Sequence, residues 1–170
     1  RRVGDVIFQF PIWWFSRPAR MKGWCDRVYA YGFADGVGEH SETHWGDRYG
    51  EGTLAGKRAM LLVTTGGWAS HYSPRGINGP IDDILFPIQH GMLFYPGFTV
   101  LPPMVIYHTS KMNEQKFAAY CEELAGRLDS LWQTEPVPFR QQNAGDYTIP
   151  ALTLRPDIAP GETGFGVPVK

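Results

Sequence analysis

The chain has 170 residues, which is enough for one domain with a sizeable core but too few for two independent cores. A formal net charge of -1 and a pI near 6.6 exclude the basic surface that nucleic acid or anionic lipid would need. No apolar run approaches the ~20 residues that a membrane-spanning helix requires, so we expect no insertion into a membrane.

The composition is unusual in its aromatic residues and ordinary in its cysteines. The chain contains 6 Trp, 8 Tyr and 10 Phe, an aromatic load that a core of this size does not need. Cys25 and Cys121 lie far apart in sequence, without the paired spacing of a disulfide framework or a thiolate metal site. We therefore expect two free thiols and a cytoplasmic protein.

The first half of the chain predicts two buried strands separated by a helix and a long loop. Residues 5–10 form a nearly continuous apolar run that stops at Pro11, which is typical of a strand covered on both faces. Apolar residues at helical spacing then predict a helix that ends near Gly32. The stretch 33–56 is rich in Gly, His, Glu and Asp without a period and predicts a long loop, and 58–65 predicts the second strand.

The second half predicts two further helices and one more strand. Residues 81–93 place apolar side chains along one side of a helix, which Pro87 should kink. A third strand is expected over 100–107, interrupted by a Pro-Pro pair. The clearest helix spans 113–132, with Asn113 as its cap. The residues on its single apolar face are Phe117, Tyr120, Cys121, Leu124, Leu128 and Leu131.

Strands that alternate with helices at this spacing indicate an α/β domain built on an open parallel sheet. Only three strands are visible, and the chain begins almost directly on a buried strand that needs neighbours on both sides. We therefore expect that an N-terminal β-α-β portion of the domain is absent from this sequence.

Ligands of open parallel sheets bind beyond the carboxyl ends of the strands, and two of these ends are distinctive here. The aromatic segment 11–15 follows the first strand, and the Thr-Thr-Gly-Gly-Trp segment 64–68 follows the second. Aromatic faces beside unobstructed backbone N–H groups suit a planar, electron-accepting heterocycle. The alternative is that the aromatic residues are core and that the glycines only turn the chain.

Four segments carry a resemblance to a known family. FQFPIWWFSRPARMKGWCDRV, TTGG, HYSPRGINGPIDDILFPIQHG and FYPGFTVLPP, in this order, resemble the flavodoxin-fold NAD(P)H:quinone oxidoreductases, the DT-diaphorase-like flavoenzymes. The resemblance covers roughly residues 4–139. It implies a flavodoxin-like parallel sheet with helices on both faces, with 1–139 as an N-terminally incomplete flavin-binding domain and 140–170 as an extended C-terminal arm.

The resemblance also implies the reaction and its cofactors. A homodimer would bind FAD, or FMN, at the subunit interface and transfer a hydride from NAD(P)H to the flavin and then to a quinone, in a ping-pong sequence. Trp14 and Phe15 would contact the isoalloxazine ring, and Pro11, Ile12 and Trp13 would shape the bend beneath it. The backbone donors directed to the polar edge of the ring would come from Thr64, Thr65, Gly66 and Gly67.

This sequence matches the catalytic and pocket residues of the family at some positions and differs from them at others. Tyr72 matches a tyrosine that hydrogen-bonds near the flavin N1/O2 edge, whereas Asn78 stands where the animal enzymes carry a histidine. Trp68 and Tyr95 would line the substrate pocket. The two tyrosines that complete the pocket wall in the animal enzymes are Asp35 and Val37 here. The residues that could refill this wall are His40, Trp45 and Tyr49.

The long loop also contains residues of the types that bind metals. His40 and His44 lie near Glu42 and Asp47, but no strong spacing motif supports a metal site, so we expect solvated loop histidines and no metal.

Two other functions are compatible with the sequence. The chain could be a flavin-binding regulatory subunit, like the ancillary proteins of potassium efflux systems, whose main task is docking to a partner. It could also be an inactive fragment without flavin, because the family's flavin phosphate is held by the loop after the first strand of the portion that we expect to be absent.

Overall fold

The structure is a computed structural model that describes residues 4–170. Its strands and helices alternate as the sequence predicts, with short 3-10 turns at Ala69–Tyr72 and Thr109–Lys111. The elements in chain order are β1 (Val6–Pro11), α1 (Ala19–Val28), β2 (Arg58–Thr64), α2 (Ile81–Ile88), β3 (Thr99–Val100), β4 (Met104–Ile106) and α3 (Glu114–Asp129).

The strands form one parallel sheet, which confirms the predicted class. β1 pairs with β2 from Val6 opposite Ala59 to Pro11 opposite Thr64. The other side of β2 pairs first with β3 and then with β4. The third predicted strand is therefore two short strands, because the Pro-Pro pair between them has no N–H to donate to the ladder.

The main cluster of buried apolar residues lies against one face of the sheet and is centred on β2. Leu61 and Val63 are fully buried and pack with Phe8 and Phe10 of β1. Helix α1 contributes Cys25, whose Sγ lies 3.3 Å from Sδ of Met92. The core residues that follow β2 in the chain are Leu85, Ile88, Met92, Leu93, Phe94, Phe98, Val100 and Phe139.

The predicted helix over 81–93 changes its hydrogen-bonding pattern instead of continuing as one α-helix. α2 ends at Ile88, one residue after Pro87, and the chain continues as a π-helix over Gln89–Phe94. Proline lacks the N–H that an α-helix uses in its interior, and a π turn is a known way to accommodate such a disruption.

Helix α3 has the predicted cap, since the Asn113 side chain accepts a hydrogen bond from the Lys116 N–H at 2.9 Å. Its apolar face is not covered within residues 4–170: Phe117 is 60% and Leu128 is 44% exposed, and no residue of the helix is buried. Ile7 of β1 is also exposed. Periodicity determines which side chains share a face, but it does not ensure that another element covers that face.

The segment 140–170 contains no helix or strand and doubles back onto the body of the protein. The Arg140 N–H donates to the Pro168 carbonyl at 2.7 Å, and the Lys170 N–H donates to the Pro138 carbonyl at 2.9 Å. Phe165 stacks on Phe86 of α2 with ring centroids 4.6 Å apart. The division at residue 139 stays a prediction. None of the helices described is long and apolar enough to cross a membrane.

Candidate functional site

The carboxyl ends of three strands meet at one edge of the sheet. Pro11 lies opposite Thr64, and Thr64 lies opposite Ile106. The ladder then continues beyond the strands, because the Ile12 N–H donates to the Thr64 carbonyl and the Thr65 N–H to the Ile106 carbonyl, both at 2.9 Å. The two segments that the sequence singled out therefore begin side by side.

The aromatic segment after β1 forms a tight turn. Trp13 and Ser16 exchange two backbone hydrogen bonds of 2.9 and 3.1 Å. The two residues between them, Trp14 and Phe15, have φ angles of 51° and 60°. Side chains of this size rarely adopt such angles, and each costs about 1–3 kcal/mol. The Trp14 side chain is nevertheless 96% exposed, so the turn presents a strained aromatic surface that the core does not use.

The segment after β2 is held by the residues that follow β4. The buried Thr65 accepts hydrogen bonds at its carbonyl from both the N–H and the Oγ1 of Thr109, each at 3.1 Å. The Gly67 carbonyl accepts from the His108 N–H at 2.8 Å. Within residues 4–170 the N–H groups of Gly66 and Gly67 have no acceptor, so the turn offers two free backbone donors.

Gly67 also allows Tyr72 to approach the turn. A Cβ at Gly67 would lie 3.0 Å from Cε2 and 3.4 Å from the hydroxyl of Tyr72, whereas a Cβ at Gly66 would meet nothing within 4 Å. The loop that carries Tyr72 is closed by a hydrogen bond of 2.9 Å from the Asn78 N–H to the His71 carbonyl. Tyr72, Asn78 and the glycine turn thus belong to one compact unit.

Trp68 has a partner that the sequence analysis missed. Its half-exposed indole stacks on the His108 imidazole with centroids 3.8 Å apart and an interplanar angle of 26°. Nδ1 of His108 is buried and has no hydrogen-bond partner within residues 4–170. His108 follows the last strand at the same sheet edge, so the rule that drew attention to the first two strand ends would also have found it.

Tyr95 lies at the other end of the sheet. It precedes β3, which pairs with the first residues of β2, whereas Trp68 follows the last residues of β2. These ends are about 20 Å apart, the length of a seven-residue strand. One chain therefore does not bring the two predicted pocket residues together.

Tyr95 belongs to a polar cluster of its own. Its hydroxyl donates to Asp35 at 2.5 Å and lies 3.4 Å from the Arg48 guanidinium, which also lies over the Tyr95 ring. The hydrogen bond from Tyr95 lowers the pKa of Asp35, while burial raises the pKa of Tyr95. Tyr49 packs edge-on against Tyr95, with centroids 5.0 Å apart.

The other residues considered for the pocket wall make contacts elsewhere in the loop, with the exception of Tyr49. His40 and Trp45 pack edge to face against each other, with ring centroids 4.8 Å apart. Val37 receives a backbone hydrogen bond from Asp47 and adds no aromatic surface. Of the three residues expected to refill the wall, Tyr49 is the one that contacts Tyr95.

A flavin ring fits the residues at the carboxyl edge. The exposed aromatic turn offers a flat apolar contact, and the free donors of Gly66 and Gly67 suit the carbonyl oxygens along the polar edge of an isoalloxazine. The Tyr72 hydroxyl beside Gly67 can add a further hydrogen bond. The donor set thus matches the ring portion of the cofactor.

Comparisons with known proteins identify the family of the chain. Residues 3–128 match a family model described as flavodoxin-like fold. A ribosyldihydronicotinamide dehydrogenase-like protein of Penicillium crustosum is 57% identical over 166 residues. Human ribosyldihydronicotinamide dehydrogenase [quinone] is 41% identical over 138 residues, covering 81% of this chain. The structure of a candidate quinone reductase from Klebsiella pneumoniae has a TM-score of 0.96 and 73% identity over 98% of this chain.

This chain spans only part of each of these proteins. It covers 60% of the length of the Penicillium protein and 56% of the human one. It covers 64% of the Klebsiella structure.

Proposed function

Because the chain belongs to the flavodoxin-like fold family, we propose that it works as a flavin-dependent NAD(P)H:quinone oxidoreductase. The observation that carries this proposal is the pairing of free backbone donors at Gly66 and Gly67 with the strained, exposed turn at Trp14 and Phe15. Backbone strain of this kind clusters at active sites and ligand-binding sites. The names of the relatives, which are dehydrogenases and quinone reductases, support the same reaction class.

The proposed cofactor is FAD, with FMN as the other candidate. When bound, the flavin accepts a hydride from a dihydronicotinamide and returns two electrons and a proton to the quinone, while solvent supplies the second proton of the hydroquinone. The task of Gly66 and Gly67 is to direct their N–H groups to the ring edge where negative charge develops. Trp14 and Phe15 supply the flat contact that holds the ring in place.

Tyr72 and Asn78 have different tasks in this proposal. The Tyr72 hydroxyl, held beside Gly67, donates a hydrogen bond at the ring edge. The Asn78 amide can orient a substrate carbonyl by donating a hydrogen bond, but it cannot supply a proton near neutral pH. Hydride transfer depends on the alignment of donor and acceptor more than on acid catalysis. Asn78 in place of the family histidine therefore removes a proton donor without changing the reaction class.

We also propose that the active site forms between two copies of the chain. Trp68 and Tyr95 lie at opposite ends of β2, so a pocket that contains both needs Trp68 from one copy and Tyr95, with Asp35 and Arg48, from the other. A homodimer provides two such pockets by symmetry. A location in the cytoplasm is part of the same proposal.

Two-substrate kinetics test the reaction. The purified chain, loaded with flavin, is assayed with menadione as acceptor and with NADH, NADPH or ribosyl dihydronicotinamide as donor, since the human relative's name specifies the last of these. Parallel lines in double-reciprocal plots are expected, because donor and acceptor would use one pocket in turn. Absence of donor oxidation by the flavin-loaded protein would contradict the proposal and would favour a regulatory subunit. Failure to bind flavin would favour an inactive fragment.

A further inference from the structure

Three potential metal ligands converge in the long loop, away from the strand ends. Nε2 of His44 lies 2.8 Å from Oδ1 of Asp47. One nitrogen or oxygen atom from each of His44, Asp47 and Glu51 lies within 4.8 Å of the other two. In the tetrahedral geometry of Zn²⁺, bonds of about 2.0–2.2 Å place ligand atoms about 3.5 Å apart, so side-chain movements of about 1 Å bring all three onto one ion.

The two carboxylates of this cluster lack a permanent cationic partner. Among residues 4–170, no Lys or Arg nitrogen lies within 4.0 Å of an Asp47 or Glu51 oxygen. The neighbouring Arg48 is directed elsewhere, to Gln142 at 3.0 Å and to Tyr95. A bound cation would supply the positive charge that these two carboxylates lack.

The ligands are held by the surrounding chain. Nδ2 of Asn143 donates to Glu51 at 2.6 Å and to the Gly46 carbonyl at 3.0 Å, and its Oδ1 accepts from the Trp45 N–H at 3.1 Å. Gly38 packs so closely on Asp47 that a Cβ there would lie 2.3 Å from the carboxylate oxygen. Outer groups of this kind orient the ligands of metal sites.

We propose that His44, Asp47 and Glu51 bind a divalent first-row transition-metal ion, with Zn²⁺ as the probe of choice. One imidazole nitrogen and two carboxylates match the preferences of Zn²⁺. Ca²⁺, which takes oxygen ligands only, leaves the imidazole unused. The bound ion fastens the loop 33–56 to the segment 140–170 through Asn143. The sequence drew attention to His44 and Asp47, together with His40 and Glu42, but not to Glu51, which completes the cluster in the structure.

The test is a calorimetric titration of the EDTA-treated, dialysed chain with ZnCl₂, and separately with CaCl₂. Glu51→Gln removes one ligand with little change in shape, and Asn143→Ala removes the group that holds it. Glu42→Gln is the matched control, because Glu42 is an exposed carboxylate of the same loop outside the cluster. Circular dichroism checks that each variant is folded.

We expect one Zn²⁺ per chain and much weaker binding of Ca²⁺. Asn143→Ala should weaken Zn²⁺ binding by about 10- to 100-fold, Glu51→Gln by at least as much, and Glu42→Gln should leave it unchanged. Zn²⁺ should also slow amide hydrogen exchange at 44–51 and 141–143. No saturable binding to the folded chain, or equal affinity in the wild type and Glu51→Gln, would overturn the proposal and leave an ordinary His–Asp hydrogen bond.

Discussion

At the scale of single residues, Tyr72 is the side chain whose chemistry is simplest to isolate. Tyr72→Phe keeps the ring beside Gly67 and removes only the hydroxyl, which is worth about 1 kcal/mol as a hydrogen bond. We expect kcat/KM for the quinone to fall by about fivefold, because 1.4 kcal/mol corresponds to a factor of ten and 1 kcal/mol to a factor of about five. Tyr107→Phe is the control, since Tyr107 has its ring 5.8 Å from that of Tyr72. If the two substitutions lowered kcat/KM equally, the result would contradict the placement of Tyr72 in the active site.

We expect His90 to make the stability of the fold depend on pH. It is stacked between Phe86 at 4.7 Å and Tyr49 at 4.8 Å, and burial lowers its pKa from 6.5 to about 4. Between these values the unfolded chain binds a proton that the folded chain does not, so stability falls as the pH drops from about 6.5 to about 4.

His90→Phe, which keeps the stack, should flatten this dependence. Urea unfolding of the wild type should lose about 2–3 kcal/mol between pH 7 and pH 4 on account of His90. The variant lacks that contribution. If the free energy of unfolding depended on pH in the same way for both proteins, the pKa of His90 would not be lowered in the folded state.

At the scale of elements, the glycine turn after β2 offers a matched pair of substitutions. Gly67→Ala places a Cβ 3.0 Å from the Tyr72 ring, whereas Gly66→Ala meets nothing within 4 Å, and neither residue has a positive φ. We therefore expect Gly67→Ala to displace Tyr72 and to weaken flavin binding by about tenfold or more, from the loss of an aligned hydrogen bond.

Gly66→Ala keeps the N–H donor, and its Cβ meets no protein atom within 4 Å, so we expect it to bind flavin more tightly than Gly67→Ala does. Flavin fluorescence titration measures both variants. A larger loss for Gly66→Ala than for Gly67→Ala would contradict the arrangement of the turn.

The elements differ in how far the sequence predicted them. β1 and β2 were predicted within a residue, because continuous apolar runs bounded by Pro11 and Gly66 leave few alternatives. Asn113 was predicted as a cap because its chemistry is local. The π-helix after Pro87 and the exposed face of α3 were not predicted, since both depend on contacts that hydrophobic periodicity does not encode.

At the scale of the whole molecule, the site implied by the sequence divides between two ends of the sheet. The segments at Trp14 and Gly67 were brought together, as expected from consecutive strand ends. Tyr95 instead lies beside Asp35. Its position is set by the end of the π-helix, which directly precedes it in the chain. The motifs in the sequence do not reveal that Trp68 and Tyr95 lie at opposite ends of β2.

Complementation between chains tests this division. Gly67→Ala and Tyr95→Ala are each expected to reduce quinone turnover in a homodimer. Unfolding and refolding the two variants together should restore about half of the wild-type activity in each mixed dimer, because one of its two pockets then contains neither substitution. Mixtures no more active than the average of the separate variants would mean that both residues serve one chain's pocket.

The central claim is that the carboxyl edge of the sheet holds a flavin that dihydronicotinamides reduce. The most direct measurement is to load the purified chain with FAD or FMN, remove free flavin, and follow the flavin absorbance anaerobically while NADH or NADPH is added. We predict stoichiometric flavin whose absorbance near 450 nm is bleached by the donor and restored by menadione. A folded chain that retains neither flavin, or whose bound flavin stays oxidised, would contradict the claim.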